Sequence, residues 1–237
     1  MAWIETFLAS VAPESRQFKL LMPFEADESR WYQLGVENEV FRFGQCVNEC
    51  GRLRKWKRTG GDEFITPDGQ SRHMFGFSKD DDKTCFLGRE HVPHIAAVSR
   101  LIVEKGYDPK RYSFSRYRFY SRDLVSKKKG GRFETDAEFF GPGEAIFLQV
   151  EAKKTRSDVE RMAAQIGTRK EFGALPENCK KELEYVLDLR PRYLWLVAPG
   201  LIEPEQFVYE VDIDDNNARF RRVESLPEAP RSIDLAT

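Results

Sequence analysis

A glutamate and a lysine two residues apart close the run AIFLQVEAKK, residues 145–154. What precedes them reads as a strand from the middle of a sheet. Ile146, Leu148, Val150 and Ala152 fall on one face, and Phe147, Gln149, Glu151 and Lys153 on the other. Glu151 and Lys153 are therefore neighbours on one side of a sheet, where the strand finishes. Upstream, RFETDAEFF (132–140) carries Glu134, Asp136 and Glu138 on a shared face. GPG at 141–143 has turn composition, so the two runs should form a hairpin with Asp136 beside Glu151. Adjacent carboxylates repel, which makes it costly to keep both charged. A divalent cation removes that cost, and hard oxygen ligands suit Mg²⁺ or Mn²⁺. A lysine beside such an ion can orient or deprotonate a water, or stabilise charge developing on a phosphoryl group.

Two choices within this set stay open to competition. Glu134 and Glu138 rival Asp136, which is preferred because the pattern Asp-Ala-x-Phe-Phe sets it ahead of an apolar continuation. Lys154 rivals Lys153, but only Lys153 shares the face of Glu151. Asp81-Asp82-Lys83 and Asp108-Pro109-Lys110 repeat the acid-x-Lys spacing, yet neither ends an apolar strand. The plainer alternative is that Glu151 and Lys153 form an exposed strand-end ion pair worth about 0–1 kcal/mol.

The elements that must position these residues follow from periodicity. Residues 1–22 suit an amphipathic helix or two, broken at Pro13. Between 24 and 88, WYQLGV, EVFRFGQCV, RLRKWKR, EFIT and HMFGF are short strand-like runs punctuated by glycines and PDG. HIAAVSRLIVEKG places Ile95, Val98, Leu101 and Ile102 at helical spacing, with Gly106 suited to the C-terminal cap. Strands are expected at YSFSRYRFYSRDLV, RFETDAEFF and AIFLQVEAKK. Helices follow at TRSDVERMAAQIG, with Ser157 or Asp158 near its N-cap, and at PENCKKELEYVLDL. RYLWLVAP and QFVYEVDI are two more strands. The expectation is an α/β protein in three parts: a β-rich region at 1–90, a mixed sheet with helices at 91–215, and a polar tail at 216–237.

The order Asp136, a turn, Glu151-Ala152-Lys153, then a helix resembles the PD-(D/E)xK nuclease superfamily, the restriction-endonuclease-like fold. In that superfamily an Asp opens the motif on one hairpin strand and the (D/E)xK closes the next. The resemblance spans about 93–200 and leaves residues 1–90 unaccounted for. Thr135 stands where the superfamily name has Pro. The resemblance implies a mixed central sheet flanked by helices and metal-dependent hydrolysis of phosphodiesters, in DNA more than RNA. Asp136 and Glu151 would hold Mg²⁺ or Mn²⁺, and Lys153 would position or activate the water. Glu104, in RLIVEKG, matches an acid that joins the metal from the preceding helix. Gln165, in RMAAQIG, matches a polar helper on the following helix. Members of the superfamily can lose activity, so an inactive nucleic-acid-binding module is the alternative. Many relatives dimerise, which makes a homodimer a compatible assembly.

A nucleic acid would meet a local charge that the whole chain lacks. Acids and bases number 39 and 38, so overall charge argues for no polyanion. Between Lys105 and Arg132, however, ten Lys or Arg stand against two acids. Arg116, Arg118, Arg122, Lys127, Lys128 and Lys129 are among them, interleaved with aromatics such as Tyr117 and Phe119. Cations neutralise phosphates and aromatics stack on unpaired bases, although charged residues also protect edge strands from aggregation. RLRKWKR at 52–58 is a second basic cluster, read more simply as an amphipathic hairpin strand. Cys46, Cys50, Cys85, Cys179 and the histidines at 73, 91 and 94 lack the two tight pairs of a zinc site, and His91 and His94 read as capping or exposed. Sparse cysteines suit a reducing cytoplasm. The N-terminus does not read as a signal peptide, and no apolar run is long enough to cross a bilayer.

Overall fold

The computed structural model describes residues 6–7, 17–19, 26–43, 63–73, 75–77, 84–87, 91–119, 132–168, 180–199, 201, 203–214 and 217–230. The chain divides into two units, Met1–Glu104 and Lys105–Thr237. The division falls after Glu104, so the helix that follows residue 90 belongs to the first unit. The sequence reading groups that helix with the second.

In the first unit, β1 (Gln17–Lys19) precedes α1 (Ala26–Glu37). Then come β2 (Arg42–Phe43), β3 (Glu63–Ile65), β4 (Ser71–His73), β5 (Phe75–Phe77) and β6 (Thr84–Leu87). The strands make two small sheets, β1-β6-β5 and β2-β3-β4. α2 (His91–Ser99) continues into a π-helical turn, Arg100–Glu104. Three expectations are corrected here. Residues 17–19 form a strand, because pairing with β6 overrides their local periodicity. WYQLGV is helical: Glu28, Trp31, Tyr32 and Gly35 are the buried positions, and their spacing is that of one helix face. Trp31, Tyr32 and Val36 favour strands in isolation, but the period decides. His94 is buried inside α2 rather than exposed. The Arg100 guanidinium lies 4.4 Å from the Trp31 ring centroid.

In the second unit, β7 (Tyr112–Phe119), β8 (Arg132–Phe140) and β9 (Ile146–Ala152) are followed by α3 (Arg156–Thr168) and α4 (Lys180–Leu189). β10 (Tyr193–Val197), β11 (Val208–Asp214) and β12 (Asn217–Val223) complete one six-stranded sheet. Its order is β12-β11-β10-β9-β8-β7. Every pairing is antiparallel except β9 with β10. A parallel neighbour needs a long crossover, and α3 and α4 supply it. Over residues 91–214 the element order helix, strand, strand, strand, helix, helix, strand, strand is the one the periodicity predicts. The segment read as a polar tail supplies β12, whose Ala218 is buried and whose Phe220 packs edge-on to Tyr209. Its Arg-rich alternation is the pattern of an edge strand with one wet face.

Val159, Met162 and Ile166 of α3 and Val186 and Leu187 of α4 pack on Leu194, Leu196, Tyr209 and Val211. The opposite face of the sheet is also buried, through Leu148, Val150, Ala137, Phe139, Phe114 and Trp195. The central strands are therefore enclosed on both sides.

Two buried phenols give a test of this packing. Burial pushes the Tyr32 hydroxyl well above its ordinary value of 10.0. Tyr107 is raised by burial first and then by Glu228, Tyr193 and Glu205, and it donates a hydrogen bond to the Pro227 carbonyl at 2.8 Å. A pKa raised on folding means that the unfolded chain loses these protons first. Stability is thus retained below about pH 10 and falls as pH rises beyond it. Spectrophotometric titration should show these two phenols ionising only as the chain unfolds. Tyr32→Phe and Tyr107→Phe should each flatten the alkaline loss.

Candidate functional site

β8 and β9 are paired from Phe140↔Ile146 to Ala137↔Val150. There the ladder between them ends, although both strands continue. β9 stays on β10 as far as Ala152↔Val197, and β8 stays on β7 as far as Arg132↔Phe119. The two strands part at the step where the register sets Asp136 opposite Glu151. The Lys153 amide donates to the Val197 carbonyl on the β10 side at 2.8 Å. The amide before it must therefore face β8, where its ladder partner is lost. The Asp136 carboxylate takes its place: Ala152 N–H donates to Asp136 Oδ2 at 2.7 Å.

Glu151 is 4% exposed. Its Oε1 accepts from Lys153 Nζ at 2.7 Å, and the lysine side chain is 19% exposed. This is a largely enclosed pair, unlike the exposed pair of the plainer sequence reading. Enclosing two ions costs several kcal/mol each in lost hydration, so such a pair is weak evidence of a stabilising role. The competing residues differ in their surroundings. Lys154 is exposed, whereas Lys153 is held against Glu151. Glu138 is fully buried and accepts from the Thr135 hydroxyl at 2.9 Å, whereas Asp136 is half-exposed and meets β9. The side chain of Glu134 lies outside the described residues.

Gln165 is half-buried on α3. That helix packs against β10 and covers the sheet face bearing Leu194 and Leu196. In register these two stand beside Gln149 and Glu151, so Gln165 belongs to the helix over the Glu151 face. α3 begins at Arg156, and its cap is Thr155 rather than Ser157 or Asp158. The Asp158 amide donates to Thr155 Oγ1 at 3.2 Å, and the Thr155 hydroxyl donates to Asp158 Oδ2 at 2.6 Å. Three residues, Lys153–Thr155, therefore separate the end of β9 from the helix, which fixes the chain path around Lys153.

Glu104 belongs to the first unit. Its carboxylate pairs with Arg30 at 2.9 Å and Arg100 at 3.5 Å. Arg116 lies on edge strand β7, in register with Thr135 of β8, and Arg118 with Phe133. The side chains of both arginines, and all of Arg122, Lys127, Lys128, Lys129 and the 52–58 cluster, lie outside the described residues. Sequence reasoning gave no weight to Gln149, which the structure encloses on the Glu151 face. The signal was there for Gln149, a polar residue midway along an apolar strand.

Among the described residues, no three or more His, Cys, Asp or Glu side chains form a group that could hold a metal ion. Among the same residues, no helix is long and apolar enough to cross a membrane. Neither the family models nor the curated proteins compared with this chain give a match.

Proposed function

We propose that the second unit is a PD-(D/E)xK-type nuclease of restriction-endonuclease-like fold, hydrolysing phosphodiester bonds with Mg²⁺ or Mn²⁺, in DNA more than RNA. The observation that carries this reading is the parting of β8 from β9 where Asp136, Glu151 and Lys153 meet. Asp136 and Glu151 would hold the ion. Two carboxylates suffice, because Mg²⁺ keeps several waters and binds through one or two carboxylates plus substrate phosphate. Glu104, already paired with two arginines, is left out of the set. A bound divalent ion supplies Lewis-acid polarisation of the phosphoryl group and acidifies a water. The chain's own residues do the rest. Lys153 can donate from Nζ to a non-bridging phosphate oxygen, stabilising charge as the attacking oxygen adds. Holding that ammonium against Glu151 keeps it oriented before substrate arrives. Gln165 is the polar helper. Arg116, Arg118, Arg122 and Lys127–Lys129 would neutralise backbone phosphates. A homodimer and a cytoplasmic setting belong to the same proposal.

A second reading is favoured by one observation: both carboxylates already have partners within the protein, Lys153 for Glu151 and the Ala152 amide for Asp136. A site satisfied in this way suits an inactive module that binds nucleic acid without metal. Incubating wild type and Asp136→Asn with supercoiled plasmid in Mg²⁺, Mn²⁺ or EDTA separates the two. The nuclease reading expects cutting in either metal, none in EDTA, and a loss of at least about a hundredfold in the variant. Salt-sensitive binding without cutting would favour the module. Neither cutting nor binding would sink both.

A further inference from the structure

Across the sheet face that carries Glu151 runs a row of enclosed polar side chains. Register sets Ser113 of β7 beside Glu138 of β8, and Glu138 beside Gln149 of β9. Ser113 is 5% exposed, and Glu138 and Gln149 are 0% exposed. Neither the amide nitrogen nor the amide oxygen of Gln149 has a hydrogen-bond partner among the described residues, and the Ser113 hydroxyl oxygen has none either. A buried amide in this condition is costly, since it has lost water and gained nothing. An apolar residue would serve the sheet better at position 149, where the parallel neighbour is Leu194. The position of the glutamine supplies a reason. It stands between two carboxylates: Glu138 directly across, and Glu151 two residues on along the same face.

Directly paired strand residues have Cβ atoms about 4.5–5.5 Å apart, with diagonal neighbours about 7–8 Å apart. A glutamine amide offers two N–H donors and one acceptor, enough to serve both carboxylates at once. Where polar groups lie beyond direct reach, an internal water with two to four polar partners is the usual bridge. We propose that Gln149 is a positioning residue for the site: its amide, through internal water, ties Glu138 to Glu151 and holds Glu151 in the orientation that binds a divalent cation. This role rests on the metal-site reading given above. Groups that orient a ligand in this way typically account for ten- to a hundredfold in metal affinity.

The test compares full-length wild type, Gln149→Met and Gln149→Leu. Mn²⁺ binding is measured by calorimetry, and thermal unfolding is followed in EDTA. Both variants are expected to raise the Mn²⁺ dissociation constant by about ten- to a hundredfold. Their unfolding midpoints in EDTA should be unchanged or higher, because an unpaired amide has been replaced by apolar atoms. Unchanged Mn²⁺ affinity would overturn the proposal. So would weaker affinity accompanied by lower midpoints in both variants, since that is the signature of a packing residue. If the wild type itself binds no Mn²⁺, the metal-site reading falls and this role with it. That outcome is seen before any substitution is made, so it is distinguishable from the other two.

Discussion

Lys153→Ala is expected to cut phosphodiester cleavage by at least about a hundredfold, and to destabilise the metal-free protein by about 3 kcal/mol. The two effects have separate causes. Activity falls because the ammonium that would meet the phosphoryl charge is gone. Stability falls because Glu151, 4% exposed, is left with its charge enclosed and its 2.7 Å partner removed. The stability figure sits at the low end for broken buried pairs because the Lys153 side chain keeps 19% of its surface in water. Two controls separate the effects. Lys154→Ala, at an exposed position, should shift stability by no more than about 0.5 kcal/mol. Glu151→Leu combined with Lys153→Met removes both charges, so it should recover most of the lost stability while remaining inactive. Chemical denaturation in EDTA measures the first effect and plasmid cleavage the second. If the double variant were no more stable than Lys153→Ala, enclosed charge would not be the cause.

Gly35→Ala is expected to destabilise the first unit. A Cβ at this position would lie 2.7 Å from Ser99 Cβ and closer still to its hydroxyl oxygen. The hydroxyl can rotate, but the Ser99 Cβ is fixed by the backbone of α2, so the two helices must move apart. Alanine gains about 1 kcal/mol of helix propensity over glycine. Overpacking a tight contact costs about 1–3 kcal/mol, and here the approach is closer than real Cβ atoms make. The net expectation is a loss of about 2 kcal/mol in urea unfolding. Adding Ser99→Gly to Gly35→Ala should restore much of it. Failure of that rescue would mean that the contact between α1 and α2 is not what makes Gly35 necessary.

The core of the candidate site was legible because period two is a strong rule for strands. It set Glu151 and Lys153 on one face, and the turn at Gly141 set Asp136 near them. The bond from Ala152 N–H to Asp136 agrees with that placement. What periodicity could not reveal was burial. Glu138 and Gln149 look like residues of a wet face, yet both are fully enclosed, Gln149 beside Leu194. An alternation rule assumes one polar face, and a sheet enclosed on both sides breaks that assumption. α1 was misread for a related reason. Trp31, Tyr32 and Val36 carry strand propensity, but the burial of Glu28 and Gly35 completes a helical spacing that includes a charged residue and a glycine, so hydrophobicity alone misses it. β12 went unseen because an edge strand with arginines on its wet face resembles a polar tail until its partner β11 is known.

The measurement that bears most directly on the central claim is plasmid cleavage as a function of Mg²⁺ concentration, for wild type and Glu151→Gln side by side. The account predicts saturable cutting by the wild type that EDTA abolishes. Glu151→Gln keeps the side chain's shape and removes its charge, and it should show at least about a hundredfold less cutting at every Mg²⁺ concentration. Equal cutting by the two proteins, or cutting that persists in EDTA, would contradict the assignment of the strand end as a metal-dependent phosphodiesterase site.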